Sequence, residues 1–234
     1  MDFNQPGFWL AILQIIWINI LLSGDNAVVI AMACRSLSDK SRKWGMVIGA
    51  GVAVFLRIVF TIIVTTLMGI PFLKVAGALA LFYIAVDLIK PKDEGESHVA
   101  AHENLWRAIV TIAVADVVMS LDNVIAIAAV AKGSWLLLSI GLAISIPLII
   151  AGAALIMMVL DRFPILVWAG AALLGWIAGE LMLSDPAVTS RLGEAVAHRY
   201  EMVAAAIGAM IVVAIGYLLS RRAAASAAGH TSQS

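Results

Sequence analysis

A single cysteine, Cys34, stands in 234 residues. One thiol builds neither a disulfide framework nor a metal–thiolate cluster. Its place at the end of an apolar run reads as a small buried apolar side chain. Charge is also scarce: 13% of residues are Asp, Glu, Lys or Arg, and the formal net charge is zero. Soluble domains carry about 25% charged residues. No basic excess is available for nucleic acid, so no such partner is expected. Histidine is missing from every long apolar run. No basic segment precedes the first run, Gly7 to Ala33, which is longer than a signal-peptide core. A cleaved leader is therefore not expected.

Apolar residues take the place of charge. Hydrophobic residues make up 63% of the chain, and mean hydropathy is +1.03. About 20 apolar residues cross a bilayer core as a helix. Seven such runs lie near 8–34, 45–68, 72–90, 107–131, 135–160, 164–183 and 200–220. Hydrocarbon cannot hydrogen-bond an exposed backbone, so these runs are expected to be helices. The basic residues sort by side. Ten (Arg35, Lys40, Arg42, Lys43, Lys90, Lys92, Arg107, Arg162, Arg221 and Arg222) fall on one side. Four (Lys74, Lys132, Arg191 and Arg199) fall on the other. The positive-inside rule then puts the N-terminus outside and the C-terminus in the cytoplasm of a bacterial inner membrane. Trp9, Trp44, Trp106 and Trp135 near span ends fit an aromatic belt. The small, polar stretch 223–234 is expected to be disordered.

The chain resembles itself. At an offset of 97, Asn19, Ser23, Asp25, Asn26, Ile30 and Ala31 meet Asp116, Ser120, Asp122, Asn123, Ile127 and Ala128. At an offset of 93, Pro71, Leu73, Gly77, Ala78, Ile84, Ala85 and Leu88 recur as Pro164, Leu166, Gly170, Ala171, Ile177, Ala178 and Leu181, and Asp87 becomes Glu180. Chance explains matched Ala and Leu, but poorly explains two aligned Ser-x-Asp-Asn motifs and an aligned acidic pair. Each half has three spans, so the second enters the membrane inverted. The expected architecture is all-α and polytopic, with seven transmembrane helices. A first three-helix repeat occupies 1–97, an inverted second repeat 98–190 and a seventh helix 191–222. Inverted repeats mark secondary transporters with substrate sites near the midplane.

Five acids fall within the runs: Asp25, Asp87, Asp116, Asp122 and Glu180. Only Arg57 is basic at comparable depth. A charge at the bilayer centre costs at least about 2.5–3.5 kcal/mol, so the excess carboxylates need a mobile cation or protons. The expected ladder has Asp87 and Asp25 inner, Asp116 with Asn19 central, and Asp122 and Glu180 outer. Carboxylate, amide and hydroxyl oxygens without imidazole or thiolate suit hard cations such as Mg, Ca or Mn. The expected metal site is Asp25, Asn26, Asp116, Asp122 and Asn123, supported by Asn19, Ser23 and Ser120. Asp87, Glu180 and Arg57 would serve the pathway or proton coupling. Arg57 reads as a structural counter-ion or a mobile plug. Asp116, Ser120 and Asn123 share one helix face by spacing. Ser, Gly, Asp and Asn disfavour helix interiors, so both Ser-x-Asp-Asn segments are expected to interrupt their helices. His98 and His102, beside Glu94, Glu96 and Glu103, read as a solvated charged loop.

Ser23-Gly24-Asp25-Asn26 and Ser120-Leu121-Asp122-Asn123 resemble the paired motifs of the TerC family of integral membrane proteins, with the span count and length of its YjbE-type branch. The resemblance runs to about Arg222. The family is named for tellurium resistance. It implies manganese export and metal homeostasis, with Mn²⁺ as cargo and no resident cofactor. The family's motif residues fall on Asp25, Asn26, Asp122 and Asn123. Here the first motif has Gly24 where many relatives have Leu. A seven-span retinal protein would need a lysine in span seven, and none lies in 200–220. A metalloprotease would need a His-Glu-x-x-His pair, also missing, so no enzyme is expected. A scaffold recruiting metal-delivery or secretion partners, and an exporter of a small organic cation, stay open. So does a homo-oligomer or membrane partner.

Overall fold

The computed structural model describes residues 6–21, 24–67, 70–90, 98–131 and 135–231. Among these residues there are nine α-helices and no strand. Four helical segments are long and apolar enough to cross a membrane: Asp39–Phe60, Ser139–Arg162, Ile165–Leu183 and Glu194–Arg222. The other three expected spans take a different form. Run 8–34 is divided between α1 (Pro6–Leu21) and α2 (Gly24–Cys34), and run 72–90 becomes α4 (Leu73–Ile89). Run 107–131 lies within α5 (His98–Ala131). At 1.5 Å per residue, α4 is only about 26 Å long, short of a hydrocarbon core of about 30 Å.

The helices form two compact units, residues 1–70 with 98–163 and residues 71–97 with 164–234. These units do not follow the expected boundaries at 97 and 190. Equivalent spans of the two halves group together instead.

The first unit contains α1, α2, α3 (Asp39–Leu67), α5 and α6 (Trp135–Arg162). Helix α3 packs along α5, while α1 and α2 pack on α6. Polarity is inverted on α3: Phe55 is 64% exposed, whereas Arg57 is 1% exposed. Apolar side chains face outward because the surroundings are hydrocarbon, and polar groups turn inward to find partners. At the α2–α3 turn, Arg42 Nη2 donates to the Arg35 carbonyl, and Nη1 reaches Asp161 Oδ2 on α6 at 3.1 Å.

The second unit contains α4, α7 (Ile165–Leu183), α8 (Pro186–Leu192) and α9 (Glu194–Thr231). Small residues let α7 and α9 approach closely, as in other membrane helix pairs. A Cβ added to Gly175 would stand 2.7 Å from the Gly208 carbonyl oxygen, so these backbones touch. Helix α9 continues to Thr231, well past the end expected near 220, through part of the stretch expected to be disordered. Ala223, Ala224, Ala225, Ala227 and Ala228 explain this, because alanine has the strongest helix propensity. Residues 232–234 lie outside the described residues. The expected loop at His98–Glu103 is likewise the first turns of α5.

Asp185 ties this unit together, and its side chain is fully buried. Oδ1 accepts from the N–H groups of Ala187 at 2.8 Å and Phe72 at 3.0 Å. Oδ2 accepts from those of Lys74 at 3.0 Å and Val75 at 3.4 Å. One carboxylate thus caps the N-termini of both α8 and α4, where backbone donors have no helical partner. Phe72, at φ 63°, holds a left-handed conformation unusual for a bulky residue. Its N–H bond to Asp185 helps hold it there. Burial alone would raise the Asp185 pKa. The four backbone donors, from Ala187, Phe72, Val75 and Lys74, outweigh burial and hold it below the ordinary carboxylate value.

Asp185→Ala leaves four donors without their acceptor. It is expected to destabilise the detergent-solubilised protein by about 2–4 kcal/mol in thermal or denaturant unfolding. The folded pKa is lowered, so the wild-type contribution is complete above the unfolded value of about 3.9. It is lost as pH falls through the folded pKa. Asp185→Asn should lack that acid-side loss. Identical pH profiles for Asn and wild type would contradict this assignment.

Candidate functional site

Every side chain that assembles around a polar centre in the first unit comes from α2, α3 or α5. Asp116 and Ser120 are one turn apart on α5, so they present to the same neighbour. That neighbour is Arg57 on α3. Arg57 Nη2 lies 2.5 Å from Asp116 Oδ1, and Arg57 Nε donates to Ser120 Oγ at 3.1 Å. All three side chains are at most 4% exposed. A buried ion pair survives desolvation only when its remaining hydrogen-bonding atoms are also satisfied. Ser120 meets part of that need.

The same contact explains the continuity of α5. The helix runs unbroken through Ser120-Leu121-Asp122-Asn123, so the interruption expected there is not found. Ser120 Oγ accepts from Arg57 and so has a partner outside its own helix. The interruption expected in the first motif falls on Ser23, which lies outside the described residues. Helix α2 starts at Gly24.

Asn26 on α2 is 4% exposed, yet neither its Oδ1 nor its Nδ2 has a hydrogen-bond partner. Asp116 Oδ2 is likewise buried and without one. Such groups are uncommon in folded proteins and point to a missing ligand, ion or water. Asn26 and Asp116 line one small cavity with Val29, Ile30, Ala53 and Ile112. It has about 10 Å³ of space for the centre of a water-sized sphere, roughly what a single water requires. Asp25, in the first turn of α2, is half-buried, and its Oδ1 accepts from the Asn26 N–H at 2.8 Å. It lies close enough to interact electrostatically with Arg57 and Asp116.

The structure therefore brings together Asn26, Asp116, Arg57 and Ser120, with Asp25 beside them. Asn19 lies on α1, and Asp122 and Asn123 lie on α5. Their side chains are outside the described residues. Asp87 on α4 and Glu180 on α7 belong to the second unit and are partly buried. Lys90 Nζ is 3.7 Å from Asp87 Oδ1. Among the described residues, no three His, Cys, Asp or Glu side chains cluster to form a complete metal cage. Sequence reasoning missed the apolar cavity wall, because Val29, Ile30, Ala53 and Ile112 look like any core residues. It also missed Asp185, although Asp185-Pro186 ahead of a helix is a capping signal.

Asn26→Leu should test whether the bare amide contributes to folding. Replacing two unpaired buried polar atoms by a similar apolar volume is expected to leave thermal stability unchanged, or raise it by about 1 kcal/mol. A clear loss of stability would mean that the amide has a structural partner.

The sequence pattern described as "Integral membrane protein TerC family" matches residues 4–224. Among curated proteins, the membrane protein YjbE of Bacillus subtilis is 43% identical over 181 residues, covering 77% of this chain and 83% of the relative. YceF of the same organism is 27% identical over 75% of this chain and 71% of the relative. The inner membrane protein YoaE of Escherichia coli is 24% identical over 52% of this chain and 27% of the relative. YjbE and YceF are both described as uncharacterized. No solved structure matches the chain.

Proposed function

This chain belongs to the TerC family of integral membrane proteins, and on that premise we propose that it is a secondary transporter exporting a divalent metal cation, Mn²⁺ foremost, in exchange for protons. One observation carries the reading: a carboxylate oxygen of Asp116 and the whole amide of Asn26 are buried without partners, and both residues line one cavity. Oxygen donors of this kind suit hard cations. Asp25 adds a second carboxylate, and Asp122 with Asn123 further along α5 would complete the coordination. The scarcity of His and Cys keeps zinc and copper from being preferred.

The proposed architecture has seven spans, with α1 and α2 as one interrupted span, and a 3+3 inverted repeat. The composition of the two units supports it. Expected spans one and two group with four and five, and span three groups with six and seven. The N-terminus would face outward and the C-terminus the cytoplasm, as the basic residues direct. Export against an inside-negative potential costs roughly 2.3 kcal/mol per charge per 100 mV. Proton entry through the same carboxylates would supply that work.

The test is Mn²⁺ flux by purified protein in liposomes under an imposed pH gradient. Wild type should show gradient-dependent flux. Asp116→Asn and Asp122→Asn should each lower it by about 100-fold or more, because each removes a charge that pairs the ion in a dry site. Failure of the wild type to move manganese, calcium or magnesium under any gradient would sink the transporter reading.

A further inference from the structure

Resting on the transporter reading, we propose that Arg57 is a tethered competitor for the cargo ion, and so sets both the affinity of the Asp116 site and the ease of release from it. The geometry places both claims on one carboxylate. Arg57 Nη2 holds Asp116 Oδ1 at 2.5 Å, while Asp116 also lines the cavity that holds the unpartnered Asn26 amide. The cavity has about 10 Å³ of space for the centre of a water-sized sphere. A cation there touches Asp116 directly, with no water layer to separate it from the guanidinium.

Charge counting gives the consequence. Asp25, Asp116 and Arg57 together carry one negative charge, enough for a single positive charge. A divalent ion added with the guanidinium in place leaves excess positive charge in a low-dielectric interior, where like charges repel strongly. The ion must therefore displace Arg57 from the carboxylate, or draw in a further acid. When the ion leaves, Arg57 takes the carboxylate back. A transport site must bind well enough to load and weakly enough to unload, and an internal cation supplies the second half of that requirement.

Arg57 has a second tether, because its Nε is bonded to Ser120 Oγ, one turn further along α5. A lysine keeps the charge but lacks the forked donor geometry. Arg57→Lys therefore separates charge from positioning.

The experiment measures Mn²⁺ binding by calorimetry on full-length protein in nanodiscs. Arg57→Met is expected to tighten binding on the order of tenfold, since removing a like charge relieves a several-kcal repulsion. Arg57→Lys should fall between Met and wild type, and keeps the test available if the Met variant does not fold. Guanidinium chloride at millimolar concentration should weaken Mn²⁺ binding to Arg57→Met and leave wild type unaffected. Manganese should also raise the melting temperature of Arg57→Met more than that of wild type, as tighter binding requires. A purely structural arginine predicts otherwise: a lower melting temperature in the variant, no gain in affinity and no effect of guanidinium. That result overturns the proposal. If wild type binds no Mn²⁺ at all, the transporter reading fails first and takes this inference with it. If wild type binds and both variants bind equally or more weakly, only the role of Arg57 fails.

Discussion

Two opposite charges removed from water together govern the first unit. The Arg57 guanidinium can lie in a hydrocarbon-facing bundle only because Asp116 and Ser120 receive it. Desolvation makes this pair unforgiving: removing either partner leaves an uncompensated buried charge. The pair joins α3 to α5 at the level of the small cavity. On α2, Asn26 completes the cavity wall without being drawn into the network. Two of the three polar side chains around the cavity thus have their positions set by the ion pair. The third has none of its hydrogen bonds made.

The second unit solves the same problem of burial by other means. Glycine and alanine bring α7 and α9 into backbone contact, which substitutes dispersion for the hydrophobic effect that hydrocarbon cannot supply. Its one fully buried carboxylate, Asp185, has a structural task. It accepts four backbone N–H groups and leaves no lone pair directed at a ligand. Asp185 and Asp116 show that burial of an acid alone does not identify a site. What separates them is whether both oxygens are occupied by the protein.

Much of this was readable from the residues in order. The apolar runs foretold helices, because a membrane offers the backbone no other partner. The spacing of Asp116 and Ser120 foretold a shared face, since 3.6 residues per turn leaves no choice. The scarcity of intramembrane base made Arg57 conspicuous. Local reasoning failed where a neighbour changed the local preference. Ser120 was expected to loosen α5, and the helix stays intact with Ser120 engaged by Arg57. The alanines after Arg222 were expected to be disordered and instead prolong α9.

The sequence by itself determined that the chain is helical, that it lives in a membrane and which few polar residues need an explanation there. Those are consequences of composition and period, and they hold whatever the neighbours are. Only the tertiary structure decided which acid Arg57 neutralises, which carboxylate oxygen stays bare and that Asn26 shares its cavity. It also decided that Asp185 serves the backbone rather than a ligand. Each of these depends on which side chains meet across tens of residues of chain, and a buried polar group is satisfied or orphaned only by what the fold places within 3 Å of it.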